Sequence, residues 1–155
     1  LISLWLIIFT NSSNKNKLEG TLKEITIINE KSIEVGLFML TIGTFLGGVW
    51  ANESWGRYWG WDPKETWALV SILIYSFVLH MRFIPVLKGI LTFNAVSMFA
   101  IWTIIMTYFG VNYYLSGLHS YAAGDPMPIP VFVYYLLAIM IVSTLIAKLR
   151  YKKNY

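Results

Sequence analysis

Five of the seven tryptophans in the chain fall within eighteen residues, in the run WANESWGRYWGWDPKETW that starts at Trp50. They are Trp50, Trp55, Trp59, Trp61 and Trp67, and they alternate with Tyr58 and with Glu53, Arg57, Asp62, Lys64 and Glu65. Indole rings offer large, rigid, apolar faces, and a flat aromatic ligand is held by such faces. The simpler reading is a belt of tryptophans at a membrane–water interface. A belt is served by about one or two Trp per helix end. Five, with charges between them, exceed that need and leave a ligand platform as the second reading.

The segment Asp62-Pro63-Lys64-Glu65 reads as the start of a helix. Asp is favoured as an N-cap and Pro at the first helical position. Glu three residues after the cap completes an Asp-led capping box. Such a start fixes where Trp61 and Trp67 emerge. Its positive dipole end also favours a carboxylate nearby.

The chain has two histidines. His80 lies seventeen residues after Pro63, about 25 Å along a helix. An ionisable residue inside a span is a functional candidate, although near the inner end, beside Arg82, it also suits the headgroup region. His119, in Gly117-Leu118-His119-Ser120-Tyr121, reads on its own as a solvated loop residue. The two histidines lie near opposite faces and cannot share one metal. Hydrolase triads, zinc sites, P-loops and dinucleotide fingerprints are all absent from the sequence. The six Met are scattered through apolar spans and read as packing.

These residues need a membrane scaffold to position them. Of 155 residues, 57% are hydrophobic and 13% charged, against roughly 45–50% and 25% in soluble domains. Mean hydropathy is +0.59. A small soluble domain has too little interior to hide that much apolar surface. The composition therefore excludes a water-soluble enzyme and a disordered chain, and it implies an all-α polytopic membrane protein of about four to five transmembrane helices. The net charge of +4 does not imply nucleic acid, because the basic residues flank apolar runs. Cysteine is absent, so the chain brings no thiol of its own.

Residues 1–155 read as a single membrane domain fragment. Residues 1–10 form a partial span, too short to cross, so the chain reads as the C-terminal part of a larger protein cut inside a helix. A polar loop occupies 11–31. Further spans are expected at 33–50, 67–83 (in a helix starting at Pro63), 89–109 and 131–149. A tight turn around Pro85, a Trp-rich loop over 50–67, a second loop over 110–130 and a basic tail from Arg150 complete the reading. Gly36, Gly43 and Gly47 share one helix face and predict close helix packing of the G-xxx-G kind. Ten of the twelve Lys and Arg lie in 11–31, in the turn near Pro85 and in the last eight residues. By the positive-inside rule these mark the cytoplasmic face, and the two other loops face outward.

The stretch WANESWGRYWGWDPKETWAL resembles the WWD signature of haem-handling membrane proteins. Its Pro-Lys-Glu-Thr-Trp ending is similar to the cytochrome c synthase branch, the CcsA/ResC type of the two-component System II pathway. The LHMR segment resembles that family's transmembrane-histidine segment, and VNYYLSGLHSYA its outer-face ligand segment. The resemblance covers the whole chain. A further outer-face His that family members carry before the WWD loop is missing, as is a second transmembrane His, which fits a truncated chain from a fused two-component synthase.

The resemblance implies a bacterial inner-membrane protein that moves haem b, as transported substrate, to the outer face and attaches it covalently to apocytochrome c. It implies a holocytochrome c synthase (haem lyase), with a haem exporter or chaperone serving a separate lyase as the alternative. A structural anchor with an ordinary aromatic belt is the third reading. Haem would enter near His80 and be presented with His119 as an axial ligand. Trp50, Trp55, Trp59, Trp61 and Trp67 would form the platform. Arg57 or Lys64 would pair with a propionate, and Asp62 would structure the loop. The implied partners are a CcsB/ResB-type subunit or fused domain, the Cys-x-x-Cys-His segment of apocytochrome c, a thiol-reducing protein and membrane lipids, with no nucleic acid.

Overall fold

The computed structural model describes residues 1–10, 15–115 and 128–154. Among them all regular structure is helical: α1 (Ile2–Phe9), α2 (Lys15–Trp55), α3 (Pro63–His80), α4 (Ile90–Ile105), α5 (Val111–Tyr114) and α6 (Val131–Asn154). A 3₁₀ turn, Met81–Phe83, follows α3, and a π-turn, Met106–Gly110, joins α4 to α5 without a break. Among the described residues, four helical stretches are long and apolar enough to cross a membrane: Asn16–Trp55, Pro63–Phe83, Ile90–Tyr114 and Val131–Tyr151. Along α2, Val35, Phe38, Ile42, Phe45, Leu46 and Val49 are all exposed. Lipid tails tolerate such a surface and water does not.

The expected polar loop over 11–31 is instead helical from Lys15 onward. Leu18, Leu22, Thr26 and Asn29 recur at steps of four, four and three, a one-sided stripe of helical period. Two apolar residues in that stripe, among many charged ones, are too few to stand out in composition. Both are buried, Leu18 at 5% and Leu22 at 2% exposure. At the other end of the chain, helix continues through the expected basic tail to Asn154. The tight turn is as expected: the N–H groups of Leu87 and Lys88 both donate to the Ile84 carbonyl, with Pro85 between.

The chain divides into two compact units. The first comprises Leu1–Ser32, Val78–Phe99 and Ile129–Tyr155. Its core is Leu4, Ile7, Leu18, Leu22 and Ala147. Polar contacts supplement it. The buried Asn94 donates to Thr26 Oγ1 (2.7 Å) and to the Ile90 carbonyl (2.9 Å), and accepts from Asn29 Nδ2 (3.2 Å). Trp5 donates to Ser143 Oγ, Arg150 donates to the Ile8 carbonyl, and Arg82 pairs with Glu30 at 2.5 Å. A buried amide with every group satisfied fixes one register between α2 and α4, since any slip leaves it unpaired.

The second unit comprises Ile33–Phe77 and Ala100–Pro128. It holds the tryptophan-rich corner. The G-xxx-G expectation does not hold within it. A methyl group added at Gly36, Gly43 or Gly47 would meet no described atom within 4 Å. This face of α2 is open, because no described helix of the unit runs along its small residues.

Candidate functional site

The corner between α2 and α3 is shorter than the expected 50–67 loop. Helix α2 runs on to Trp55 and α3 begins at Pro63, so only residues 56–62 are non-helical. Gly56 ends α2. Its φ of +70° is the left-handed cap conformation that glycine adopts without penalty. The Gly56 N–H donates to the Asn52 carbonyl at 2.8 Å.

The start of α3 carries the capping box. The Lys64 N–H donates to Asp62 Oδ2 at 3.2 Å, and the Asp62 N–H donates to Glu65 Oε2 at 3.2 Å. Glu65 Oε2 also accepts the Gly60 N–H at 2.7 Å. One carboxylate oxygen thus holds the backbone on both sides of Trp61. That matters because Trp61 has φ 57°, a conformation rare for a bulky residue and costing about 1–3 kcal/mol. Glu65 supplies the restraint, and the Trp61 ring stands 71% exposed.

The tryptophans form two edge-to-face pairs. Trp50 and Trp55 have ring centroids 5.1 Å apart at 79°, and Trp59 and Trp61 lie 5.8 Å apart at 88°. Trp50 and Trp59 line a cleft of about 620 Å³, within the roughly 300–1,000 Å³ of small-molecule sites. One wall is α2, with Met39, Leu40, Gly43, Thr44, Gly47 and Gly48. Tyr58 and Trp59 form the rim, and Lys64, Glu65, Ala68 and Thr107 complete the lining. Gly48 is needed for close approach, since a Cβ there would lie 3.1 Å from the Tyr58 carbonyl oxygen. The Trp59 indole N–H is buried without a hydrogen-bond partner among the described residues. A wall made partly of bare backbone, flanked by indoles and with one cation and one carboxylate in the lining, suits a flat, largely apolar ligand.

The remaining expected residues take different places. Asp62 caps α3, as above. The Arg57 guanidinium lies over Gly60, where any side chain would overlap it, and it is outside the cleft lining. Trp67 is on α3, also outside the lining. Its carbonyl accepts from Ser71 Oγ (2.9 Å) and Thr107 Oγ1 (3.1 Å). His80 is the exposed last residue of α3, in the first unit, with its ring 5.9 Å from that of Phe83. His119 lies outside the described residues.

The sequence pattern described as cytochrome C assembly protein matches residues 1–119. This chain belongs to that family. The family match takes in the tryptophan corner, every residue of the cleft and both histidines, and ends before α6. Among its relatives, Protein NrfI of Wolinella succinogenes is 54% identical over 114 residues, covering 74% of this chain and 13% of the relative. Cytochrome c biogenesis protein CcsA of Prochlorococcus marinus is 42% identical over 102 residues, 64% of this chain and 31% of the relative. The CcsA protein of Marchantia polymorpha is 44% identical over 102 residues, with the same coverage of 64% and 31%. The chain therefore spans a third or less of these three relatives.

Thr107 and the glycine wall line the cleft without being among the expected site residues, although Thr107 carries a signal as a polar group in an otherwise apolar span. The cap yields a direct prediction for this assembly-family corner. Asp62→Ala removes an N-cap and should cost about 0.5–2 kcal/mol, while Asp62→Asn and Asp62→Ser still accept from the Lys64 N–H. Thermal unfolding in detergent should rank wild type, Asn and Ser above Ala. Equal loss in Asn and Ala at matched expression would show that the charge, not the cap, is what matters.

Proposed function

We propose that the cleft holds haem b as a transported substrate and presents it at the outer face of a bacterial inner membrane for attachment to apocytochrome c. One observation carries this reading: a chain of the cytochrome c assembly family has a cleft whose wall, rim and charge match an amphiphilic macrocycle. The porphyrin face lies on the bare backbone of Gly43 and Gly47. Trp50 and Trp59 contact its edge, and the positive charge of Lys64 suits a propionate, whereas Arg57 packs on Gly60 outside the lining. His119 supplies one axial ligand as neutral imidazole. His80, near the opposite membrane face, is where haem enters. The clustering of ten Lys and Arg away from the tryptophan corner supports an outward-facing corner by the positive-inside rule.

The attachment is the addition of two cysteine S–H groups across the two haem vinyl groups. Each addition forms a C–S bond and a C–H bond at the expense of the S–H bond and one C=C π bond, with no leaving group. The chain has no Cys, so both thiols come from the Cys-x-x-Cys-His segment of the substrate, kept reduced by a thiol-reducing protein. The chain contributes position and ligation, and the vinyl–thiol chemistry is that of haem and substrate. A CcsB/ResB-type subunit or fused domain completes the whole protein, which is then a holocytochrome c synthase.

The test uses the full-length protein containing this segment, co-expressed with apocytochrome c in cells lacking other haem lyases. Soret absorption in the purified protein together with haem-stained cytochrome c supports the synthase. Soret absorption without cytochrome c turns the reading to a haem exporter serving a separate lyase. Absence of Soret absorption overturns haem handling and leaves a structural anchor. In the same assay His80→Ala should lower both signals, and normal haem loading in that variant would remove His80 from the path.

A further inference from the structure

Lys64 is the cation that lines the cleft among the described residues, and it is not left to its own rotamers. Its ammonium donates to Asn112 Oδ1 at 3.1 Å. Arg57, the neighbouring cation, packs on Gly60 instead. Glu65, the lining acid, directs Oε2 at the Gly60 and Asp62 N–H groups, so part of its charge is met by backbone.

Asn112 reaches Lys64 because of the π-turn. Lys64, Trp67 and Ser71 stand three and four residues apart, on one face of α3. Thr107 bonds to the Trp67 carbonyl and to Ser71 Oγ (3.1 Å) on that face, and Asn112 bonds to Lys64 on the same face. Thr107 and Asn112 are five residues apart. In an uninterrupted α-helix five residues turn through about 500°, which leaves the two side chains ~140° apart. The π-turn Met106–Gly110, with i→i+5 bonding, closes that gap. The insertion has a specific result here: two polar groups meet one face of α3.

We infer that Asn112 is a positioning residue that, acting through Lys64, sets an ammonium in the cleft wall to bind a ligand carboxylate. The inference rests on the haem reading of the cleft and deepens it: Lys64, not Arg57, takes the propionate, and Asn112 determines how strongly acid is preferred over ester.

The experiment titrates the detergent-purified full-length protein with iron protoporphyrin IX and with its dimethyl ester, reading Soret absorption. Wild type should bind the diacid about tenfold more tightly, the scale of one charge-assisted hydrogen bond. Lys64→Met should bind both equally. Asn112→Leu should lose most of the preference, and Asn112→Asp should lose it too, because its carboxylate neutralises the ammonium and repels a ligand carboxylate. Arg57→Met should leave it unchanged. Ester and acid binding equally to wild type, or an unchanged preference in Lys64→Met or Asn112→Leu, overturns the inference while haem binding stands. Neither porphyrin binding above detergent partition overturns the haem reading itself.

Discussion

Replacing Gly43 and Gly47 together by phenylalanine should empty the cleft of haem without unfolding the protein. Both glycines line the cleft, and a Cβ at either meets no described atom within 4 Å. The new rings therefore enter the space assigned to the macrocycle from positions where a Cβ is not crowded by any described atom. The helix itself should gain, because Gly is among the poorest helix formers and Phe is better by about half a kcal/mol. Haem affinity should fall at least ~100-fold, equivalent to ~2.8 kcal/mol. Gly36→Phe is the control: it lies on the same open face but outside the cleft lining. It should bind haem as wild type does. Soret titration alongside thermal unfolding checks all three variants. Haem bound normally by the double variant would move the site elsewhere.

His119→Gly should abolish cytochrome c production, and imidazole in the growth medium should restore part of it. Its role rests on the resemblance of VNYYLSGLHSYA to an outer-face ligand segment. Losing the ring opens one coordination position on iron, while the contacts offered by Trp50, Trp59 and the glycine wall are apolar and survive. Free imidazole is small and neutral and fills the vacancy. His119→Tyr should resist rescue, because its ring occupies the space. Rescue should fail equally in His119→Gly combined with Gly43→Phe and Gly47→Phe, where the macrocycle has no seat. The readout is haem-stained cytochrome c with and without imidazole. Full output from His119→Gly without imidazole would rule out axial ligation.

The legible parts of this molecule are those encoded over short distances. Long apolar runs fixed the fold class, because a backbone in hydrocarbon has no choice but to hydrogen-bond within its own helix. The start of α3 was legible for a different reason: Asp62, Pro63 and Glu65 each have one well-defined use at a helix start. The helical stretch from Lys15 was missed, since its stability comes from Leu18 and Leu22 packing with Leu4 and Ile7 of α1 and with Ala147 of α6, the last 125 residues beyond Leu22. The openness of the glycine face was missed too. Small residues at helical spacing are compatible with a neighbouring helix or with a ligand, and only the surroundings of Gly43 and Gly47 distinguish the two. The π-turn has no sequence signature at all. It is visible only as Thr107 and Asn112 meeting one face of α3.

The corner that presents Trp61 also differs from the π-turn side of the cleft in when it can form. Its bonds link Gly60 to Glu65, Asp62 to Glu65 and to Lys64, and Trp61 to Thr66, all within seven consecutive residues. Closing loops that short costs little chain entropy. The opposite lining is tied by contacts of far longer span, Trp67 with Thr107 and Lys64 with Asn112, separated by 40 and 48 residues. Contacts of high sequence separation come late in folding. Twelve of the thirteen described lining residues lie between Met39 and Ala68, so wall, rim and corner come from one stretch of sequence, and the π-turn segment adds only Thr107 to the lining and the Asn112 contact to Lys64.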